Sequence, residues 1–206
     1  MAPLTGLLAV LIAFLAVGVI GGNTPNAKDS AQKVFDFYVK HRNAQMGAAF
    51  FLSLGGGLLI FFSATLRHVL ARPPARGQLA SAAFGGGLVG ASGLLLSATA
   101  HLALADSGKH GSPTAAQTLN LLDNNTYFPA VVGIAVLVLA AGISIIRTRV
   151  LPLWLGIVGV VAGVASLTPA GFFGFLLALL WIAVVSVWLT ASPVGDDPVA
   201  ATSTAA

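Results

Sequence analysis

One uncharged apolar block, which runs from Val150 to Ala191, constrains the fold of this chain more than any other feature. It is longer than a single membrane crossing can use, since a spanning helix needs about 17 to 25 residues. Within the block lies the sequence TPAG, in which Pro169 lacks a backbone donor and Gly171 tolerates a tight turn. The block therefore predicts a helical hairpin with almost no exposed loop.

The rest of the chain has the same apolar character. Apolar residues make up 57% of the sequence and charged residues 8%, and the mean hydropathy is +0.93, whereas about a quarter of the residues in soluble domains are charged. We therefore expect an all-α membrane protein, a bundle of six transmembrane helices, in a single domain over residues 1–191. The expected spans are 4–20, 46–66, 79–105, 128–146, 150–167 and 170–191. The tail, 192–206, lacks periodicity and is expected to be disordered.

The first apolar run, 4–20, could also be a signal peptide, because small residues that suit cleavage follow it. However, no Lys or Arg precedes the run, and its apolar core is longer than the roughly 7 to 15 residues of a signal core. We interpret the run as a retained first helix.

Two polar segments between the spans have helix signals of their own. A short amphipathic outer helix is expected over 29–43, between the first and second spans, with Asp29 and Gln32 spaced as in a capping box. Further along the chain, Ser112 followed by Pro113 predicts a second helix start. That helix is expected to run into the fourth span.

With six spans both termini lie on one side of the membrane, and the ten Lys and Arg residues divide five against five. Short loops count most in the positive-inside rule, and two clusters, 67–76 and 147–149, lie on the side of the termini. We therefore place the protein in the cell membrane with both termini in the cytoplasm. The dispersed basic residues predict contact with the lipid bilayer and argue against a nucleic-acid partner.

Four residues form the best candidate for a ligand site. His41, His101, Asp106 and Asp123 all fall on the expected outer side or at the outer end of a span. Imidazole nitrogens and carboxylate oxygens can bind a divalent metal or a small polar ligand, and an ionisable group at membrane depth, as expected for His101, is often functional. Their convergence in a hydrated outer pocket is a hypothesis; plain exposure at the interface is the alternative.

The remaining patterns argue against an enzyme. The chain has no Cys and no Glu, no His pair at the i, i+4 spacing, and no nucleophile-elbow pattern. His68 and His101 are expected at opposite leaflets, which argues against haem. We therefore assign no catalytic residue, no metal ligand and no cofactor. Charges within the spans and a repeat between the two halves are also missing, which weakens a transporter interpretation.

Glycine is frequent inside the spans. Gly86 with Gly90, and Gly159 with Gly163, have the small-xxx-small spacing that lets helix backbones approach closely. Because six helices need many internal contacts, we expect these pairs to pack within the chain. A seam between two copies is the alternative.

Several segments together resemble a set of uncharacterised multi-pass integral membrane proteins of actinobacteria. In that set an outer helix that ends in an aromatic residue and His-Arg precedes the second span, and a Leu-Pro-x-Trp-Leu-Gly motif opens the fifth. Here these positions are Tyr38, His41 and Arg42, and 151–156. The resemblance, which covers about 31–189, implies a six-helix membrane protein and implies no reaction.

From these observations we expect a multi-pass membrane protein without catalytic machinery, an accessory or assembly subunit with a membrane-protein partner or a second copy of itself. The alternative is a small-solute transporter or a ligand-binding or metal-binding membrane protein that uses the outer His and Asp residues.

Overall fold

The computed structural model describes residues 2–72, 77–169 and 171–191, and the regular structure in these residues is helical throughout. The expected disordered tail, 192–206, lies outside them. A 3-10 turn, Ala2–Leu4, leads into α1, Thr5–Phe14, which continues as a π-helix over Leu15–Ile20. The other helices are α2 (Ala31–Leu70), α3 (Gln78–His110), α4 (Pro113–Thr148), α5 (Leu153–Ser166) and α6 (Gly171–Ala191).

Four of the helices, α2, α3, α4 and α6, are long and apolar enough to cross a membrane. The first helix with its π-helical end, Thr5–Ile20, and α5 are apolar but shorter. The helix break expected within TPAG is present, since α5 ends at Ser166 and α6 begins at Gly171. The fold is therefore an all-helical bundle of the membrane type.

Helices that follow one another in sequence pack side by side, and α6 returns to contact α1, which closes the bundle. α4 also contacts α2 and α6, so it lies centrally. The closure between first and last helix includes the buried Ser186 hydroxyl, which donates to the Pro3 carbonyl and accepts from the Leu7 amide at 2.9 Å. Leu7 lies in the first turn of α1, where backbone amides have no partner within the helix, so α6 supplies its cap.

Large apolar side chains cover the outer surface of the bundle. Five phenylalanines are each at least 65% exposed: Phe14, Phe50, Phe61, Phe172 and Phe173. The buried positions include many small residues, and glycines bring neighbouring helices into close contact. Exposure of such an apolar surface to water is unfavourable, whereas lipid chains would solvate it.

At one end, α2, α3 and α4 continue beyond the other helices. Two contacts mark where the shorter helices end. The first helix ends at Gly21, whose carbonyl accepts a hydrogen bond from the Gln45 side chain of α2. The last turn of α5 lies against α4 near Ala135. We call the part beyond these levels the extension and the rest the bundle. The extension comprises 31–44 of α2, 102–110 of α3 and 113–130 of α4. Its apolar core consists of Val34, Tyr38, Leu104 and Ala116.

The start of α2 differs from the expectation in two ways. Ser30, and not Asp29, is the N-cap, since its hydroxyl accepts from the Lys33 amide, while Asp29 bonds the Asn26 amide and the Lys33 ammonium. The expected outer helix is also continuous with the second span. The only departure from helical backbone angles in α2 is at His41, with φ −108° and ψ 18°.

The start of α4 agrees with the sequence. Ser112 is the N-cap, its hydroxyl accepts from the Ala115 amide at 3.3 Å, and Pro113 opens the helix. The helix then continues through Pro129 to Thr148, so the expected outer helix and fourth span are also one element.

Candidate functional site

A buried pair of polar side chains joins α2 and α3 at the base of the extension. Gln45 is fully buried and His101 is 7% exposed, and 2.6 Å separates Gln45 Oε1 from His101 Nδ1. The other end of the Gln45 amide, Nε2, donates to the Gly21 carbonyl at 2.8 Å. The pair therefore ties the end of α1 to α2 and α3.

This geometry fixes the tautomer of His101. The Gly21 carbonyl can only accept, so the Gln45 NH₂ group must face it, and the Gln45 oxygen must face the imidazole. That oxygen also only accepts, so His101 Nδ1 carries a proton. In the neutral ring the lone pair is then on Nε2, which leaves this nitrogen as the one that can bind a ligand.

Asp123 is the acidic residue that α4 contributes to the same region. Its half-buried carboxylate interacts electrostatically with His101, and it lies near the Tyr38 hydroxyl. The Thr126 hydroxyl is 3.4 Å from Asp123 Oδ1. His101 and Asp123 are therefore brought together from separate helices, as the hypothesis of an outer site requires.

The other two candidates have different partners. Asp106 accepts from Arg42 at 3.3 Å in an exposed ion pair between α3 and α2. The contacts of the His41 side chain are within its own helix, α2. Its ring stacks on Phe37 with centroids 4.4 Å apart, and its Nδ1 is 2.9 Å from the Phe37 carbonyl oxygen. Within the described residues, no group of three or more His, Cys, Asp or Glu side chains could hold a metal ion.

Side-chain amides, which the sequence analysis did not single out, hold the loop between α1 and α2. Gln45 donates to Gly21, Asn120 donates to the Asn26 carbonyl at 3.3 Å, and Gln117 donates to the Ala27 carbonyl at 3.4 Å. The Tyr38 hydroxyl in turn donates to Asn120 Oδ1 at 3.5 Å. In sequence the signal for Asn120 and Gln117 is their three-residue spacing on α4, which continues to Asp123. Gln45 stands out as an amide just before the second apolar run.

A cleft of about 370 Å³ opens between this loop and the first turns of α2. Apolar atoms of Phe37 and the buried Pro25 contribute to its lining, together with several polar side chains. The lining residues are Asn23, Thr24, Pro25, Asn26, Asp29, Lys33, Asp36, Phe37 and Lys40. The Lys33 ammonium, 2.6 Å from Asp29 Oδ1, and the Asn26 amide hold the pKa of the Asp29 carboxyl below its usual value.

The four glycines with small-xxx-small spacing lie against other helices of the same chain. A methyl group on Gly86 would be 2.5 Å from the Leu137 amide nitrogen of α4, and one on Gly90 would be 3.1 Å from Ile134 Cγ1. On α5, a methyl group on Gly159 would meet the Trp181 ring of α6 at 3.1 Å, and one on Gly163 would meet Leu139 of α4 at 2.7 Å. These glycines permit close approach between helices.

Comparison with protein-family models, with curated proteins and with solved structures finds no match to this chain. The resemblance to actinobacterial membrane proteins therefore stays a prediction. The class that the fold itself defines is an all-helical bundle with four helices able to cross a membrane.

Proposed function

We propose that the protein is a six-span integral membrane protein of the cell membrane, without a catalytic role, that serves as an accessory or assembly subunit. The observation that carries the proposal is the distribution of side chains in the bundle, with large apolar groups outside and polar groups bonded inside. The Trp181 indole donates to the Leu155 carbonyl at 2.7 Å, and the Ser63 and Ser166 hydroxyls donate to carbonyls of their own helices. Because these polar side chains are hydrogen-bonded to backbone carbonyls, they stabilise the packing of the helices, as expected in a structural subunit.

The placement of the two short helices supports six spans. α1 packs against α2 and α6, and α5 packs against α4 and α6, so both lie beside helices long enough to cross. Each also presents large apolar side chains to the outside, such as Leu11 on α1 and Val161 on α5, which are both 55% exposed. A helix as short as α5 can be accommodated by local thinning of the bilayer.

Cysteine labelling tests the spans and their direction. Because the chain has no native Cys, single replacements report cleanly. We expect an impermeant maleimide to label Lys109→Cys and Thr168→Cys in intact cells. His68→Cys and Arg147→Cys should react only after permeabilisation. If Thr168→Cys behaves like Arg147→Cys, α5 does not cross the membrane and the six-span proposal is wrong.

The accessory role requires a partner, and small residues on the outer surface provide a close-contact face for a helix of that partner. Gly57 of α2 and Gly85 of α3 have no atom within 4 Å of an added methyl group. We expect native mass spectrometry after gentle-detergent purification to show a stoichiometric second protein or a second copy. Gly57→Leu should release it, and Val164→Leu, a control that adds volume on the exposed surface of α5, should not. Recovery of the monomer alone would contradict the accessory role.

The proximity of His101 and Asp123 favours a second candidate, a membrane protein that binds a small solute or a metal ion at these two residues. The free Nε2 of His101 would supply one ligand atom and the Asp123 carboxylate the other. We would then expect a divalent cation or a small polar solute to raise the melting temperature of the wild type. The effect should disappear in His101→Ala and persist in His110→Ala, whose imidazole is exposed.

A further inference from the structure

We propose that the cleft between the α1–α2 loop and α2 binds the headgroup of a zwitterionic phospholipid that has a primary ammonium, as phosphatidylethanolamine does. The proposal rests on the six-span arrangement, and it adds a specific lipid to the general contact with the bilayer. Three features of the cleft carry it: a wall held in place before the ligand arrives, a pair of opposite charges free to bind, and a position at headgroup depth.

The wall of the cleft is a loop that other helices hold rigidly. Residues 21–30 form no helix, yet the carbonyls of Gly21, Asn26 and Ala27 each accept a hydrogen bond from a side-chain amide of α2 or α4. Within the loop, the Asp29 carboxylate bonds the Asn26 amide at 2.9 Å. A site that is ordered in advance loses less conformational entropy when a ligand binds.

The charges that line the cleft divide into a neutralised pair and a free pair. Lys33 and Asp29 neutralise each other at 2.6 Å. One helical turn further on, Asp36 accepts only from the uncharged Gln32 amide, and Lys40 forms no ion pair with any described residue. Their spacing on α2 puts the two side chains about 5 to 6 Å apart at Cβ.

A ligand with one cationic and one anionic group a few ångströms apart complements this free pair. The phosphate of the lipid headgroup would bind the Lys40 ammonium, and the lipid ammonium would donate to the Asp36 carboxylate. Both contacts are charge-assisted hydrogen bonds. A quaternary ammonium, as in phosphatidylcholine, has no N–H to donate, so the cleft should discriminate against it.

The position of the cleft favours a lipid over a soluble zwitterion. Lys40 precedes Met46, where the second expected span begins, by six residues, which corresponds to about 9 Å along a helix axis. The headgroup layer extends about 5 to 8 Å beyond the hydrocarbon on each side of a bilayer. The long Lys40 side chain can reach back into that layer, and Phe37 adds an apolar surface to the same cleft.

Lipid retention in native mass spectrometry tests the proposal. Detergent-purified protein would be incubated with an equimolar mixture of dioleoyl phosphatidylethanolamine and dioleoyl phosphatidylcholine. We expect preferential retention of the ethanolamine lipid, and a loss of about tenfold in apparent affinity for Lys40→Gln and for Asp36→Asn, as expected from one charged hydrogen bond. Lys28→Gln, an exposed lysine outside the cleft, is the matched control and should retain the lipid.

Equal retention of the two lipids, or equal losses in Lys28→Gln and Lys40→Gln, would overturn the proposal. Competition by millimolar O-phosphoethanolamine would overturn the lipid assignment in favour of a soluble ligand. These outcomes are distinct from failure of the proposed function, because the labelling pattern of Thr168→Cys and Arg147→Cys tests the spans independently of the cleft.

Discussion

In the bundle, helices come into close contact where glycine leaves the backbone uncovered, as at Gly86 of α3 and Gly133 of α4. In the extension, the contact between helices is made by a large side chain, Tyr38, which is fully buried between α2, α3 and α4 with Val34 and Leu104. The extension also contains a close backbone contact of the other kind, Gly108 against Tyr38.

The difference follows from the surroundings of each part. Lipid chains offer no hydrophobic gain when two helices associate, so helices in a bilayer depend on close packing through small residues. Beyond the hydrocarbon, among headgroups and water, the burial of a large apolar side chain is itself favourable. We therefore expect the bundle to be most sensitive to added volume and the extension to lost volume.

The largest effect is expected from Tyr38→Ala in the extension. Removal of a fully buried aromatic ring should lower the free energy of unfolding by about 3 to 5 kcal/mol. Tyr38→Phe keeps the ring and loses only the long hydroxyl contact to Asn120, so it should cost less than about 1 kcal/mol. Unfolding by SDS in mixed micelles would measure both values. Equal losses would mean that the hydroxyl, and not the burial of the ring, stabilises the extension.

Gln45→Ala probes the boundary between the two parts. The change leaves the Gly21 carbonyl and the His101 N–H without partners in a buried site, and at about 1 to 3 kcal/mol for each group we expect a loss of at least about 2 kcal/mol. Gln32→Ala, which removes an exposed amide from the same helix, should change stability by less than about 0.5 kcal/mol. The same unfolding assay applies, and a tolerant Gln45→Ala would show that α1 needs no such tie.

Adjacent glycines on α3 test the bundle. Gly86→Ala would place its methyl group 2.5 Å from the Leu137 nitrogen, and such overpacking should cost about 1 to 3 kcal/mol. Gly85→Ala meets nothing within 4 Å and should stabilise the helix by up to about 1 kcal/mol. If both variants unfold alike, the α3–α4 contact is not the close one described above.

The smallest effect is expected at the exposed Arg42–Asp106 pair of the extension. Arg42→Gln should reduce stability by no more than about 1 kcal/mol, and added salt should shrink the difference from wild type because exposed pairs are screened. Asp106→Asn is the matched variant. A double-mutant cycle with a coupling energy well above that value would place the pair among the main supports of the extension.

The helical class and the break between α5 and α6 could be predicted from sequence. Backbone groups in lipid must be satisfied within the segment, so an apolar run of sufficient length is helical, and Pro169 interrupts the one block that is too long. The Ser112–Pro113 start of α4 was predictable because both residues act locally. Six spans stay a prediction, since α1 and α5 are shorter than the other helices.

The continuity of α2 could not be predicted, because the polar residues around Asn43 look like a break until their tertiary partners are known. Gln45 is such a residue, and its partners Gly21 and His101 are distant in sequence. The same reason explains why the four candidate residues could not be told apart in sequence: His101 and Asp123 come to one region from separate helices, while His41 and Asp106 have other partners. The position of each residue relative to the apolar runs predicts the end of the bundle at which it lies, and only the packing of three helices decides which side chains are in contact.

The cap that Ser186 provides for α1 has a consequence for biosynthesis. The residues it joins, Pro3 and Leu7 of the chain's first helical segment and Ser186 of α6, are far apart in sequence, so Pro3 and Leu7 are synthesised well before Ser186. Until α6 arrives, the first turn of α1 must satisfy its amides with water or lipid headgroups, which keeps the newly made helix near a membrane surface. This cap can form only after α6 has been synthesised, so a chain truncated before Ser186 should expose an incompletely bonded helix to the quality-control proteases of the membrane.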